Sequence, residues 1–319
     1  MMTLRNSRPL SALLGVVLAC GLLVTAAPAH AVDLAGANTD LEQLKKATKP
    51  RATNEDLLQY LDAVFTDYKD LKFAEEKPAD DADPAALKAW ESNKKKFEKG
   101  RDKFRSDAEK LILKVLTLTK VKSEKNLRDE VNIRAAEVLG GLGPMLDEKG
   151  RKDLSKKIMG AIDKRLTKVK THDVNTDVLN AAFAALGKLN DPSSLQWMLK
   201  NHCHANEVKK YYIIAAHQAM VLYKDIPGKL RYEVCAQFVK VYGSVESQAE
   251  QSSNDPAVLA KKRFWDDIKT YTIPVVQHFA GKPTDADGNA LATMADFTAF
   301  MREHKNARKA PWADPKPAK

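Results

Sequence analysis

Apolar positions along most of this chain recur every three or four residues, the spacing of one face of an α-helix. Leu57, Leu61, Val64, Phe65, Tyr68 and Leu71 share such a face and predict a helix over 54–73, which Thr53 or Asn54 can cap. The acidic, Pro-containing stretch 74–84 predicts a turn. Ten positions then step alternately by three and four: Leu87, Trp90, Lys94, Phe97, Arg101, Phe104, Ala108, Leu111, Val115 and Leu118. Eight of the ten are apolar, a seam of coiled-coil type. Residues 54–121 are therefore expected to form an antiparallel helical hairpin. Gly100 weakens its second helix by about 1 kcal/mol relative to Ala.

The central third repeats itself. Segments starting at Val131, Val178 and Tyr212 align so that Ala135, Ala182 and Ala216 coincide. Val138, Ala185 and Ala219 also coincide, as do Leu139, Leu186 and Met220, then Leu142, Leu189 and Tyr223. The offsets are 47 and 34 residues. Small alanines let neighbouring helices approach closely, and Asp191-Pro192 can end one helix and start the next. This pattern resembles the HEAT-repeat (armadillo-type) family, most clearly over 178–199 and in looser form over about 129–242. The first and third copies depart from it, with Gly143-Pro144 and Ile226-Pro227 at the turn. The resemblance implies an α-solenoid of stacked helical pairs over 122–243. Partner helices are expected over 152–166, 194–201 and 229–242.

The polar stretch 243–254 predicts a loop and the best internal boundary. Helices follow within 255–304, the first kinked or ended by Pro274 and the last carrying Leu291, Met294, Phe297, Phe300 and Met301. The Pro-rich end, 305–319, is expected to be a disordered tail, and 32–53 a small, polar, flexible segment. The fold class is thus all-α: HEAT-like helical pairs preceded by a long helical hairpin.

Composition agrees, with 14 glycines in 319 residues and 7% aromatics, as suits a helical soluble protein. Residues 1–31 read as a signal peptide. Arg5 and Arg8 precede an uncharged run over 10–27, Pro28 breaks it, and Ala29-His30-Ala31 supplies small residues for cleavage. The same residues leave two alternatives open. Val17-Leu18-Ala19-Cys20 is a passable lipobox that would lipidate Cys20, and the run is long enough for an uncleaved anchor. Each reading exports the rest of the chain, to a periplasmic or extracellular location or onto a membrane.

The formal net charge of +10 falls by two if Arg5 and Arg8 leave. Much of the excess lies in 94–125 and after His304. Those lysines alternate with Glu and Asp at helical spacing, the pattern of a solvated face. An anionic surface is a possible partner for them, and no specific nucleic acid is indicated.

Candidate chemistry is sparse. His202-Cys203-His204 is the most tempting metal cluster, but adjacent residues supply at most three of the four ligands zinc takes, and His217 and Cys235 are candidates for the fourth only if the fold brings them close. Cys203 and Cys235 could pair as a disulfide in an oxidising compartment or remain as buried thiols. Residues 284–289 contain acids and Gly288, yet Pro283 stands where an EF-hand needs its first oxygen donor. Asp80-Asp81 and Asp266-Asp267 are adjacent carboxylates, which diverge by about 100° on a helix instead of sharing a site. Neither a nucleotide-binding loop nor a nucleophile elbow occurs. The expectation is a non-catalytic scaffold, without cofactor, that recognises a protein or peptide. The alternatives are a basic polyanion binder and an enzyme with a scattered His, Cys and Asp site.

Overall fold

Short acidic and hydroxyl side chains set where the helices begin. Asp83, Asp191 and Asp255 each accept a hydrogen bond from the backbone N–H two residues on, and each precedes a proline at the helix start. Thr53 with Asp56 and Thr293 with Asp296 form reciprocal capping boxes. The structure, a computed structural model, describes residues 33–49, 53–79, 82–118, 127–168, 176–306 and 309–312. The expected leader at 1–31, Cys20 within it, and Asp80-Asp81 lie outside these.

Among the described residues there are eleven α-helices and no strand. They are α1 (Leu34–Ala47), α2 (Asn54–Asp70), α3 (Pro84–Leu116), α4 (Leu127–Gly141), α5 (Glu148–Lys168) and α6 (Thr176–Leu189). α7 (Pro192–His202), α8 (Lys210–Met220), α9 (Gly228–Ala249), α10 (Pro256–Ala280) and α11 (Met294–Glu303) follow. The fold is all-α. α2 packs on α4, α4 on α6, α6 on α8 and α8 on α10. The intervening helices meet in a second succession, α3 with α5, α5 with α7, α7 with α9 and α9 with α11.

Close approach in the first succession depends on residues without bulk. A Cβ on Gly140 of α4 would lie 3.0 Å from the Ala185 Cα of α6. A Cβ on Gly187 of α6 would lie 2.6 Å from the Ala219 carbonyl oxygen of α8 and 2.9 Å from Leu222 Cβ. The two contacts are equivalent in sequence: Gly140 and Gly187 are 47 residues apart, Ala185 and Ala219 are 34 apart. Those are the offsets that align the alanine-rich segments, and Ala135, Ala182 and Ala216 are all buried. The turns after α6 and α8 are joined as well. Asn190 Nδ2 donates to the Lys224 carbonyl at 3.0 Å, and Lys224 N–H donates to Asn190 Oδ1 at 2.9 Å. Asn190 adopts φ 56°, a left-handed conformation that asparagine tolerates.

Several sequence expectations need correction. Residues 34–47, expected to be flexible, form α1, whose Ala37, Leu41 and Leu44 are buried between α2 and α3. The hairpin over 54–121 is thus joined by a third helix, and α3 runs unbroken through Gly100, over which the Leu34 side chain lies. The boundary at 243–254 is displaced, because α9 continues to Ala249 and buries Val245 and Ala249. α10 continues through Pro274, held by the burial of Val275, Val276 and Phe279 beyond it. The tail is anchored at Trp312, which is fully buried and meets Tyr232 and Phe300 edge-on. Its indole N–H donates to the His304 carbonyl at 2.9 Å, while Arg231 donates to that of Pro311 at 3.0 Å. One Trp buries about 150–250 Å², enough to fix a short segment.

Gly187→Ala is expected to destabilise the protein by about 1–3 kcal/mol, since the added methyl meets backbone that cannot turn aside. Gly160→Ala in α5, where nothing lies within 4 Å of an added Cβ, is expected to stabilise it by up to about 1 kcal/mol. Denaturant unfolding of the two variants checks the pair, and equal effects would contradict the stated packing.

Candidate functional site: a buried histidine, cysteine and tyrosine cluster

α7, α8, α9 and α10 bring together most of the chemistry-bearing residues singled out in the sequence. His217, on the Ala-rich face of α8, is fully buried. Its Nδ1 lies 3.2 Å from Thr272 Oγ1 of α10, and its Nε2 lies 3.2 Å from the Tyr242 hydroxyl of α9. Thr272 commits its own proton to the Ile268 carbonyl, one helical turn back, at 2.9 Å. Its oxygen must therefore accept from His217, which fixes the neutral Nδ1–H tautomer. Nε2 then accepts from Tyr242 as the nearer of two acceptors open to that single proton, for the hydroxyl also lies 3.4 Å from the His204 carbonyl and contacts the Cys203 thiol. The result is a directional chain from Tyr242 through His217 to Thr272 and a main-chain carbonyl, with the Cys203 thiol beside its first member.

Burial keeps every member neutral. Desolvation pushes Cys203 up to about 12 and raises Tyr242. It lowers His217 to about 3, with the neighbouring His204 and His202 adding to the effect. His202, in the last turn of α7, is also buried. Its ring meets Phe183 and Trp197 at centroid distances of 5.0 and 4.7 Å. Neither of its nitrogens has a hydrogen-bond partner among the described residues, and desolvation lowers it to about 4, with His204 and Lys209 contributing. His204 is lowered too, first by desolvation and then by Lys209.

The candidate metal triplet is therefore split: His202 faces an aromatic pocket, while Cys203 turns to Tyr242. Among the described residues no group of three or more His, Cys, Asp or Glu side chains is placed to hold a metal. Of the two readings of the cysteines, the structure has free thiols: Cys203 and Cys235 are both buried and unbonded. Cys235 points to the Val276 carbonyl at 3.8 Å, and burial raises its thiol as well. The 284–289 loop is a glycine turn, with Gly288 at φ 84°. The Asp285 carboxylate accepts from the backbone of Asp287 and Asn289 at 3.0 and 2.8 Å. Asp266 and Asp267 diverge as expected, pairing separately with Lys269 and Lys210 at 2.7 Å each.

Sequence reasoning singled out His217 and Cys203 but missed Tyr242 and Thr272, because their roles depend on which faces of α9 and α10 meet α8. The chain's comparison with known proteins gives no match to a family model, a curated protein or a solved structure.

As built, Cys203 is a thiol and His217 a neutral imidazole at neutral pH. Neither thiol is expected to react with iodoacetamide at pH 8 in the folded protein, and both should react after unfolding in guanidinium. Mass spectrometry that found a bonded pair, or rapid native labelling, would contradict the buried-thiol arrangement.

His202 also links stability to pH. Its folded value lies below the ordinary 6.5 of histidine, so between about 6.5 and 4 the unfolded chain binds more protons. The stability it contributes is complete above that window and is lost as pH falls through it. His202→Phe should remove about 2 kcal/mol of the acid destabilisation between pH 7 and 4.5. Asp67 titrates in the opposite sense, its carboxyl raised to about 6 by burial and by Asp40. The quantity to read is therefore the difference between variant and parent in urea unfolding at each pH. Parallel curves would show that His202 is not the group responsible.

Proposed function

We propose that the chain is a non-catalytic binding scaffold whose helical pairs stack as a HEAT-like α-solenoid and recognise a protein or peptide on an exposed helical face. The observation that carries this reading is the equivalence of the Gly140–Ala185 and Gly187–Ala219 contacts, reinforced by the bonded turns at Asn190 and Lys224. Helices stacked in register generate extended surfaces suited to macromolecular partners. This step from fold to function is one of analogy.

Exposed apolar side chains support a recognition face at the start of α8. Val208 and Tyr211 are 69% and 52% exposed, with Lys210 lying over the Tyr211 ring at 5.6 Å. Large exposed aromatics and aliphatics of this kind are characteristic of contact surfaces. Lys210 is held by Asp267 at 2.7 Å, so α10 fixes the platform on which they sit.

The test is affinity capture after cross-linking, comparing the parent with Val208→Asp/Tyr211→Asp. A defined partner should be recovered by the parent and fall at least about thirtyfold with the double variant, the loss expected for one contact residue of hot-spot strength. Capture of no partner, or a recovered set that ignores the substitutions, would remove this reading.

A further inference from the structure

α3 carries more than a solvated face. Lys88, Lys95, Lys96, Lys99, Lys103, Lys110 and Lys114 are all exposed. At about 100° per residue they fall within one arc of about 100°, over a length of about 40 Å. Ser92, Ser106, Leu113 and Thr117 share that arc, and no carboxylate does. The acids of α3 are gathered on its flanks. Glu91, Glu98, Asp102 and Glu109 lie along one edge, where Glu109 accepts from the Tyr68 hydroxyl and pairs with Lys157 at 3.2 Å. Asp107, at the other edge, pairs with Lys110 at 3.3 Å. Among the described residues no acidic partner lies within ion-pair distance of Lys88, Lys95, Lys96, Lys99 or Lys103. The stripe extends onto α1, because Lys114 Nζ donates to Thr48 Oγ1 at 3.3 Å beside the exposed Lys46 and Lys49.

We propose that this stripe is a docking surface for a membrane bearing anionic phospholipid. Lysines four apart on a helix repel one another, as at Lys95, Lys99 and Lys103, and the carboxylates of the flanks offset this only from the edges of the stripe. A helical stripe about 40 Å long can lie along a flat surface, whereas a nucleic-acid duplex, convex itself, would meet it over a fraction. The stripe holds no arginine for bidentate phosphate contacts and no aromatic for stacking on bases. Lysine offers a hydrated point charge, which suits a surface of diffuse negative potential. Without aromatic or large apolar residues beyond Leu113 the face does not insert, and the attachment is electrostatic and released by salt.

The experiment is sedimentation of the full chain with vesicles of phosphatidylcholine, alone or mixed with phosphatidylglycerol. Binding should rise with phosphatidylglycerol, and that increment should disappear as salt rises. The apolar run at 10–27 is common to every variant, so its share is read as the binding to phosphatidylcholine alone and subtracted. Each lysine near an anionic surface contributes about fivefold, so Lys95→Gln/Lys99→Gln/Lys103→Gln should weaken partitioning about 100-fold. The corresponding triple arginine variant should bind as the parent does. Removing the same charge elsewhere, at the exposed Lys229, Lys261 and Lys262, should matter far less. Equal losses from the two triple glutamine sets would reduce the effect to net charge and overturn the proposal. Binding indifferent to lipid charge, or preference for duplex DNA over the vesicles, would overturn it as well.

Discussion

The closeness of α4, α6 and α8 is the constraint on which the rest of the molecule depends. At Gly187 the neighbouring helix presents a main-chain carbonyl, which has no rotamer to change, so the separation of α6 and α8 is set by the absence of a side chain. Dispersion falls steeply with distance, and helices brought this near gain contacts along their length without large residues. This explains how a chain with few aromatics builds a continuous core. Ala182, Ala185, Ala216 and Ala219 are buried not for their own hydrophobic area but because they let Leu186, Met220 and Phe183 interlock above and below them.

The same closeness accounts for the buried polar chain. Once α8 is held against α6 and α10, the side chain of His217 has no route to water and must find partners inside. Thr272 and Tyr242 supply one acceptor and one donor, matching the neutral imidazole. A buried group satisfied in this way costs little, whereas His202, ringed by Phe183 and Trp197 with its nitrogens unpaired, sits at a cost of about 1–3 kcal/mol. Two histidines fifteen residues apart therefore play unlike parts. His217 orients three helices, and His202 is a local weakness that acid exposes.

Much of this fold was legible in the sequence, because alanines at matched offsets declare close helix contacts directly, while the part of Gly140 and Gly187 emerged only from the packing. The helix starts at Asp191 and Asp255 were equally open, since Asp-Pro carries its own mechanism, whereas Asp83-Pro84 shows in the sequence only as the end of a turn. What escaped depended on tertiary partners. Residues 34–47 look weakly amphipathic alone and become a helix because α2 and α3 offer a groove for Leu41 and Leu44. The polar run after Gly243 reads as a loop, yet Val245 and Ala249 suffice to extend α9 when α11 lies beside them. Pro274 signals a break only in isolation, and Trp312 holds a segment whose composition argues against order. In the candidate site, His217 and Cys203 were visible as residue types, but their chemistry was not, for it rests on desolvation and on Tyr242 and Thr272.

The lysines of α3 show the converse limit, where a pattern visible in the sequence was read too coarsely. Charges alternating in sign along a helix look like ordinary solvation until each is assigned an angle, and then the lysines gather in one arc with the carboxylates along its edges. The buried face of the same helix, with Phe104, Ala108, Ile112 and Val115 held by α1 and α4, keeps the stripe from rotating out of register with the body. A flexible polybasic tail would pay conformational entropy each time it met a surface. A stripe fixed on a packed helix has already met that cost in folding, so the charges act together, and the angular order that α3 imposes on them is what distinguishes this surface from an excess of lysine.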